Sequence, residues 1–274
     1  SYMADYKLWG LSPFGYHLTN RILHILNGLL LYLVAFYLLK NNILSFLCSI
    51  IYCLHPAHTS VVSYISGRAD ILASIFFLSS FYLYIKSETV LKNHILLYLS
   101  SVASFAMCLL SKESVLMFPF ILLSYELMFN GKRRLIRTAP FFLFVVVYVL
   151  LRANITNYKI GLFLKDPDIP SRLIASLKMF LEYICILILP LRLRMERSLG
   201  AHNYLGYEAA LFLIMAVSLI ITLRKARYFK LILFGFIWFL INIIPVLNII
   251  PLHARLAENW LYLPSIGFVL AMTL

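Results

Sequence analysis

Charge is what this sequence has least of. Of 274 residues only 13% are charged and 62% are hydrophobic, more apolar side chain than a soluble domain of that length can hide. Acidic residues are scarcer still, 11 against 24 basic ones, a net charge of +13. In a soluble chain that excess would suggest nucleic acid. Here no basic patch is interleaved with exposed aromatics, and nucleic acid is excluded as a partner. Cysteine is sparse: Cys48, Cys53, Cys108 and Cys185 all fall inside apolar runs, so no disulfide or zinc framework is read from them. No basic stretch leading into a short apolar run opens the chain in the manner of a signal peptide. There is no soluble domain, low-complexity linker or internal repeat. The chain starts Ser-Tyr-Met-Ala and stops inside the apolar run "SIGFVLAMTL", so both ends are read as cuts in a longer protein.

What is present is hydrocarbon in repeated runs. Ten apolar segments can be marked, at about 18–39, 43–54, 70–85, 95–110, 114–129, 138–151, 173–190, 207–223, 231–250 and 260–274. Several are shorter than the ~20 residues a full span needs, and 43–54 reads as a short span or a re-entrant piece. Backbone polar groups in lipid need partners within their own segment, so all ten are expected to be helical. The fold class is therefore an all-α polytopic membrane protein.

Basic loops give the orientation. "NGKRRLIR" (130–137) and "RKARYFK" (224–230) are placed on the cytoplasmic side by the positive-inside rule. Three segments lie between them, so one should not cross. The choice is 173–190, which holds Lys178 and Glu182, expensive in lipid. Counting crossings then puts 1–17, 55–69, 111–113, 152–206 and 251–259 together on the opposite face. The unusual polar residues concentrate in those segments, the pattern of an enzyme facing a lumen or periplasm.

Five constellations carry the polar chemistry. In "YHLTNRILHILN", His17, Asn20, His24 and Asn27 share one helix face, which either packs by interhelical hydrogen bonds or lines a polar cavity. His17 is the member expected nearest a substrate. In "HPAHTSVVSYISGRAD", His55 and His58 suit a metal less than a phosphate: Pro56 breaks the helix, and a third and fourth ligand are wanting. Arg68 adds a bidentate phosphate donor, or else pairs with Asp70, which is placed to cap the next helix. In "LLSKES", Lys112 and Glu113 either snorkel at the interface or hold a substrate phosphate. In "LPLRLRMERSLGAHNY", Glu196 stands among Arg192, Arg194 and Arg197 with His202 downstream, as a solvated loop or a positioned carboxylate. In "PLHARLAENWLYLPSIGF", His253, Arg255 and Glu258 precede a helix start whose Trp260 and Tyr262 read equally as interface-belt aromatics; Arg255 is the best anion ligand there. Asn154-Ile155-Thr156 is a glycosylation sequon on the expected outer side, close to chance level for a single instance.

Taken in order, "DYKLWGLSPFGYHLTNRILHILN", "HPAHTSVVSYISGRADILAS", "LSKES" and "ENWLYLPSIGF" resemble the membrane part of the transmembrane and TPR-repeat-containing O-mannosyltransferases and their prokaryotic relatives, of the GT-C glycosyltransferase superfamily. The resemblance implies a GT-C-like bundle of about nine or ten transmembrane or re-entrant helices forming one domain over 1–274, with an acidic loop upstream and TPR repeats downstream. It implies transfer of a sugar, mannose in these enzymes, from a polyprenyl- or dolichyl-phosphate carrier to a protein Ser or Thr hydroxyl. The transfer would take place on the luminal or periplasmic face, in a bacterial or archaeal cytoplasmic membrane or an endoplasmic reticulum membrane. Two positions depart from the family pattern: Ser60 where an acidic residue often follows the His-x-x-His-Thr motif, and Asn259 where arginine is common. The family's acidic motif of the first luminal loop would fall before Ser1, which puts the general base upstream, with Asp5 a poor substitute.

The expected mechanism has His55, His58, Arg68, Lys112 and Arg255 stabilising the leaving phosphate, while Asp70, Glu113, Glu196 and Glu258 orient those cations or the sugar and His17 sits on the acceptor side. Nothing in the sequence requires a cofactor or a metal, although a divalent ion is compatible with it. The partners expected are membrane lipid, the lipid-phosphate sugar and a protein acceptor. Two rivals stand beside the enzyme: a transporter or flippase for a lipid-linked sugar, and a non-catalytic scaffold. The absence of repeats and the gathering of charge at one face weigh against the transporter.

Overall fold

The computed structural model describes residues 1–90, 92–156, 169–191, 193–194, 196–197, 227–247 and 256–274. Helices α1 (Tyr2–Trp9), α2 (Pro13–Leu39) and α3 (Asn42–Leu54) open the chain. Pro13 stands in the first turn of α2, where its missing N–H goes unused and its fixed φ already suits the helix. At the other end Lys40 adopts a left-handed conformation, and Asn41 caps α3 by accepting from the Ile43 and Leu44 N–H groups at 3.0 and 3.1 Å. Pro56 ends α3, because the residue before a proline is pushed into extended backbone, as His55 is.

A short turn and α4 (Thr59–Val62) lead to α5 (Arg68–Lys86), which folds back on α6 (His94–Ser111). The two helices are joined by more than packing. Ser80 Oγ donates to the Ser101 carbonyl at 2.8 Å and Ser101 Oγ to the Ser80 carbonyl at 2.7 Å. Small hydroxyls are a usual way to fasten helices in a medium as apolar as their side chains. Next come α7 (Phe118–Tyr125), continued by a π-turn over Glu126–Asn130, and α8 (Ala139–Thr156). After α9 (Ile169–Ile188) the described chain resumes with α10 (Phe229–Ile243) and α11 (Pro264–Met272).

The α10–α11 contact depends on having no side chain at its centre. A methyl group on Gly235 would come within 2.6 Å of the Gly267 carbonyl, and one on Gly267 would strike the Gly235 carbonyl. The core between the helices is aromatic: Phe77 meets Phe118 edge-on at 4.6 Å and Phe81 meets Trp238 edge-on at 5.1 Å. Facing outward, α8 exposes Leu143, Val147 and Leu150. Such a surface is a liability in water and the ordinary outer wall of a bundle in lipid.

Among the described residues five helices are long and apolar enough to cross a membrane: Pro13–Leu39, Ile65–Lys86, His94–Ser111, Arg134–Ile155 and Phe229–Val246. Asn42–Leu54 with Pro56–Val62 would make a sixth, bent by 48°. The chain is an all-α membrane protein on this ground; the described residues show five or six helices of span length and do not confirm a count of nine or ten transmembrane or re-entrant helices. The reasons are local. Segment 114–129 is split into a 3-10 turn (Glu113–Met117), α7 and the π-turn, so none of its pieces is span-length. Segment 260–274 yields a nine-residue α11 behind a 3-10 turn. α9 carries Arg172, Lys178 and Glu182 and is not among the five. Segment 207–223 lies outside the described residues.

Among the described residues strand pairing is confined to a two-residue ladder, Glu196 opposite Ala257 and Arg197 opposite Leu256, which ties the chain after α9 to the chain before α11.

Candidate functional site

The site is built where α2, α5, α6 and the chain before α11 end together. The polar stripe of α2 is consumed by packing. Asn20 donates its amide to the Tyr64 carbonyl at 3.1 Å and accepts Arg68 Nε at 2.8 Å. His24 Nε2 donates to the Cys53 carbonyl at 3.0 Å, which leaves Nδ1 to accept the Tyr262 hydroxyl at 2.7 Å. Asn27 donates to the Ile71 carbonyl at 3.0 Å and to the Tyr262 oxygen at 3.2 Å. Of the two readings for this face, hydrogen-bonded helix packing is the one realised. His17, the fourth member, is half-buried toward the start of α2.

Arg68 does not pair with Asp70. Residues two apart leave a helix in different directions, and the two find separate partners. Arg68 is fully buried; its Nη2 lies 2.5 Å from Asp5 Oδ2 and donates to the Tyr16 carbonyl at 3.1 Å, and its guanidinium sits 4.5 Å from the Tyr2 ring. Thr19 donates to the other Asp5 oxygen at 3.0 Å, and the Tyr2 hydroxyl donates to the Ile65 carbonyl at 2.8 Å. α1 is thereby clamped over the start of α5.

Asp70 is not the cap of α5 either; Gly67 holds the N-cap position. The Asp70 carboxylate instead takes Lys112 Nζ at 2.5 Å, with the Asn259 amide against it. The junction joins the first turn of α5, the end of α6 and the turn before α11. It is part-open: the Lys112 side chain is 21% exposed and that of Asp70 is 9% exposed. Beside it, exposed Glu113 pairs with Arg152 at 3.1 Å. Burial alone would raise the Glu113 carboxyl, but its own backbone N–H and the Arg152 guanidinium outweigh that and hold it below the usual carboxylate range.

The two histidines of the His-x-x-His pair are already engaged. His55 Nδ1 accepts the Ala57 N–H at 3.2 Å and its Nε2 donates to the Leu187 carbonyl at 3.0 Å. His58 is buried, packed 4.6 Å from the Tyr52 ring and 4.9 Å from the Tyr262 ring, with Nε2 3.4 Å from Ser265 Oγ. Among the described residues no three His, Cys, Asp or Glu side chains are placed to hold a metal ion. Ser60 Oγ donates to the Ala57 carbonyl at 3.2 Å, closing its own turn. Glu258 is buried and accepts the Arg194 N–H at 2.6 Å, bracing the two-residue ladder.

The structure therefore brings Asp70, Lys112, Glu113 and Asn259 together and seals Arg68 behind them. Within the expected phosphate-binding set, Lys112 is the partly open cation among the described residues. Arg255, His253 and His202 lie outside the described residues, as does the Glu196 side chain. Sequence reading undervalued Asp5 and Tyr262. Asp5 lies 63 residues from its arginine and no spacing links them. Tyr262 could have been found from the α2 stripe, since a buried His and Asn at helical spacing need a hydroxyl or carbonyl opposite them.

No protein-family model and no solved structure matches the chain. Curated proteins do. A protein O-mannosyl-transferase of Caenorhabditis elegans is 26% identical across 98% of this chain and 40% of its own length. The protein O-mannosyl-transferase TMTC3 of Homo sapiens is 36% identical over 32% of this chain and 10% of its own length. The protein O-mannosyl-transferase TMTC1 of Homo sapiens is 42% identical over 29% of this chain and 9% of its own length. The chain thus spans two fifths or less of the length of these relatives. With four ordered motifs and a similarity that runs nearly from end to end, the chain is similar to proteins named protein O-mannosyl-transferases.

Proposed function

We propose that the chain is the GT-C-like membrane portion of a glycosyltransferase that moves mannose from a polyprenyl- or dolichyl-phosphate carrier to a protein Ser or Thr hydroxyl, on the luminal or periplasmic face. The observation that carries the reading is the part-open Asp70–Lys112–Asn259 junction, built from three of the four motifs that resemble the family.

In the reaction the acceptor hydroxyl oxygen bonds to the anomeric carbon as the bond from that carbon to the phosphate oxygen breaks. The hydroxyl proton passes to a base, and polyprenyl phosphate leaves with the electron pair. Negative charge grows on the leaving phosphate, so a fixed cation beside it lowers the barrier. Lys112 supplies that cation, and Asp70 with Asn259 holds its ammonium in place. Arg68 acts at one remove: with Asp5 it locks α1 and the start of α5, from which Asp70 projects. Asp5, Asp70 and Glu258 each have a partner already, so we assign the base to none of them. Arg255 remains the second candidate cation for the phosphate.

The test is incubation of membranes carrying the full chain with radiolabelled dolichyl-phosphate mannose and an acceptor protein. Alkali-labile label on the acceptor's Ser and Thr residues is the expected result. Label that stays in lipid, or reaches only lipid-linked sugars, rules the reading out.

A further inference from the structure

The other end of the α5–α6 hairpin, about 28 Å away along the 19 residues of α5, contains a separate polar assembly that the transfer reaction does not use. A cavity of about 620 Å³ opens there between the end of α5, the start of α6 and the turn before α8. Its working residues are Glu88, Tyr98, Arg134, Ile136 and Arg137. Arg137 is fixed: Nη1 donates to Glu88 Oε1 at 3.0 Å, Nη2 to Ser87 Oγ at 2.7 Å, and the guanidinium lies 5.3 Å from the Tyr98 ring. Glu88 is satisfied from behind, where the Asn130 amide reaches both of its oxygens at 3.0 and 2.9 Å. Arg134 is different. Its side chain is 48% exposed and stands 3.6 Å from Glu88, a loose pair that leaves most of its donors open.

Two further features converge on the same mouth. The first turn of the 18-residue α6 lines the cavity, and the partial positive charge of a helix N-terminus favours an anion. His94 also lines the cavity, beside the apolar Val90, Ile95 and Ile136; Ile136 is 77% exposed, and the apolar surface continues along the outward faces of α6 and α8. A cavity with cations at its rim and an apolar slope running down two spans fits an amphiphile and is poorly suited to a soluble ion. Its loop, "GKRRLIR", is also one of the two that the positive-inside rule places in the cytoplasm, beside the leaflet richest in anionic lipid.

We propose that this cavity binds the phosphate head group of an anionic membrane lipid, with Arg134 closing on the phosphate and the acyl chains lying on α6 and α8. Arg137 holds the floor in place and is not displaced.

Thermal unfolding of the full chain in neutral detergent tests this, with dioctanoyl phosphatidic acid, dioctanoyl phosphatidylcholine and inorganic phosphate as probes. Phosphatidic acid should raise Tm in a saturable way. The other two should do so weakly or not at all. Arg134→Gln should weaken the phosphatidic acid response about tenfold, the loss of one charge-assisted contact, with the lipid-free Tm unchanged. Ile136→Glu, at an exposed position that does not hold the fold, should weaken it as well. Equal responses from wild type and both variants would overturn the proposal. So would the absence of any shift, or inorganic phosphate matching the lipid.

Discussion

The two ends of the α5–α6 hairpin bury carboxylates beside basic side chains, and they do it in opposite ways. At one end the partners are far apart in sequence: Asp5 reaches Arg68, Asp70 reaches Lys112, and Asn259 joins them. At the other end they are nearer, with Glu88, Glu126, Asn130 and Arg137 drawn from 50 residues. The first end closes the bundle from its N-terminal helix to its last turn and leaves Lys112 part-open. The second staples one hairpin to α7 and α8 and is surrounded by aromatic rings. An end that recruits remote segments can hold a site in fixed geometry. One that recruits its neighbours mainly sets helix register.

Two carboxylates outside the spans, Glu113 and Glu88, titrate in opposite senses. Glu113 is held below the usual range by its backbone N–H and Arg152 against the pull of burial. Burial, with Glu126 close by, pushes the Glu88 carboxyl up.

The largest effect should come from Arg68→Gln, which strands Asp5 in a buried site. A loss of about 3–5 kcal/mol is expected in thermal or denaturant unfolding, and Asp5→Asn in the same chain should restore part of it. If the double variant is no better than the single, the clamp on α1 is misassigned. Arg137→Gln should cost less, about 2–3 kcal/mol for hydrogen bonds to a charged group, and should leave transfer activity within about twofold of wild type at matched folded fraction. A collapse of transfer in Arg137→Gln would erase the distinction between the ends.

The pH dependences sharpen it. Because the folded Glu88 carboxyl titrates above 4.5, its stabilising contribution is complete below that pH and is lost as pH rises through its raised value. The stability difference between wild type and Glu88→Gln should therefore narrow from pH 4.5 toward neutrality. For Glu113, held below 4.5, the contribution is present above that pH and lost as pH falls through the lowered value, so its difference from Glu113→Gln should shrink on acidification. Parallel Tm profiles for the two variants would contradict both assignments. The smallest effect belongs to Ser80→Ala, about 0.6 kcal/mol for an interhelical hydrogen bond in a membrane, read by the same unfolding measurement.

Much of this was legible in the residues. Five apolar runs coincide with the five span-length helices because hydrocarbon length alone decides whether a helix can cross. Among the runs that fell short, 43–54 is followed by Pro56, 114–129 contains Pro119, 173–190 contains Lys178 and Glu182, and 260–274 contains Pro264, features that break or divert a helix without lowering mean hydropathy enough to be seen. At the site, the count of crossings places 55–69 and 111–113 on one face, and Lys112 meets Asp70 there. The pairing of Arg68 was not legible, since a choice between Asp5 and Asp70 depends on where α1 docks. Nor were Glu88 and Glu126 singled out. A lone carboxylate at a span end looks like solvated loop until an opposing Arg137 or Tyr84 hydroxyl is found, here at 3.0 and 2.5 Å. Ser60 and Asn259, the departures from the family pattern, have become explicable. One closes its own turn, and the other lies against Asp70 where the pattern has a cation.

The most direct measurement is mannose transfer from labelled dolichyl-phosphate mannose by the full chain, comparing Lys112→Gln with Arg137→Gln at matched folded protein. The account predicts that Lys112→Gln lowers kcat/KM by about 10²–10³, the scale of losing one charge-stabilising group, while Arg137→Gln leaves it nearly unchanged. Equal losses in the two variants, or full activity in Lys112→Gln, would contradict it.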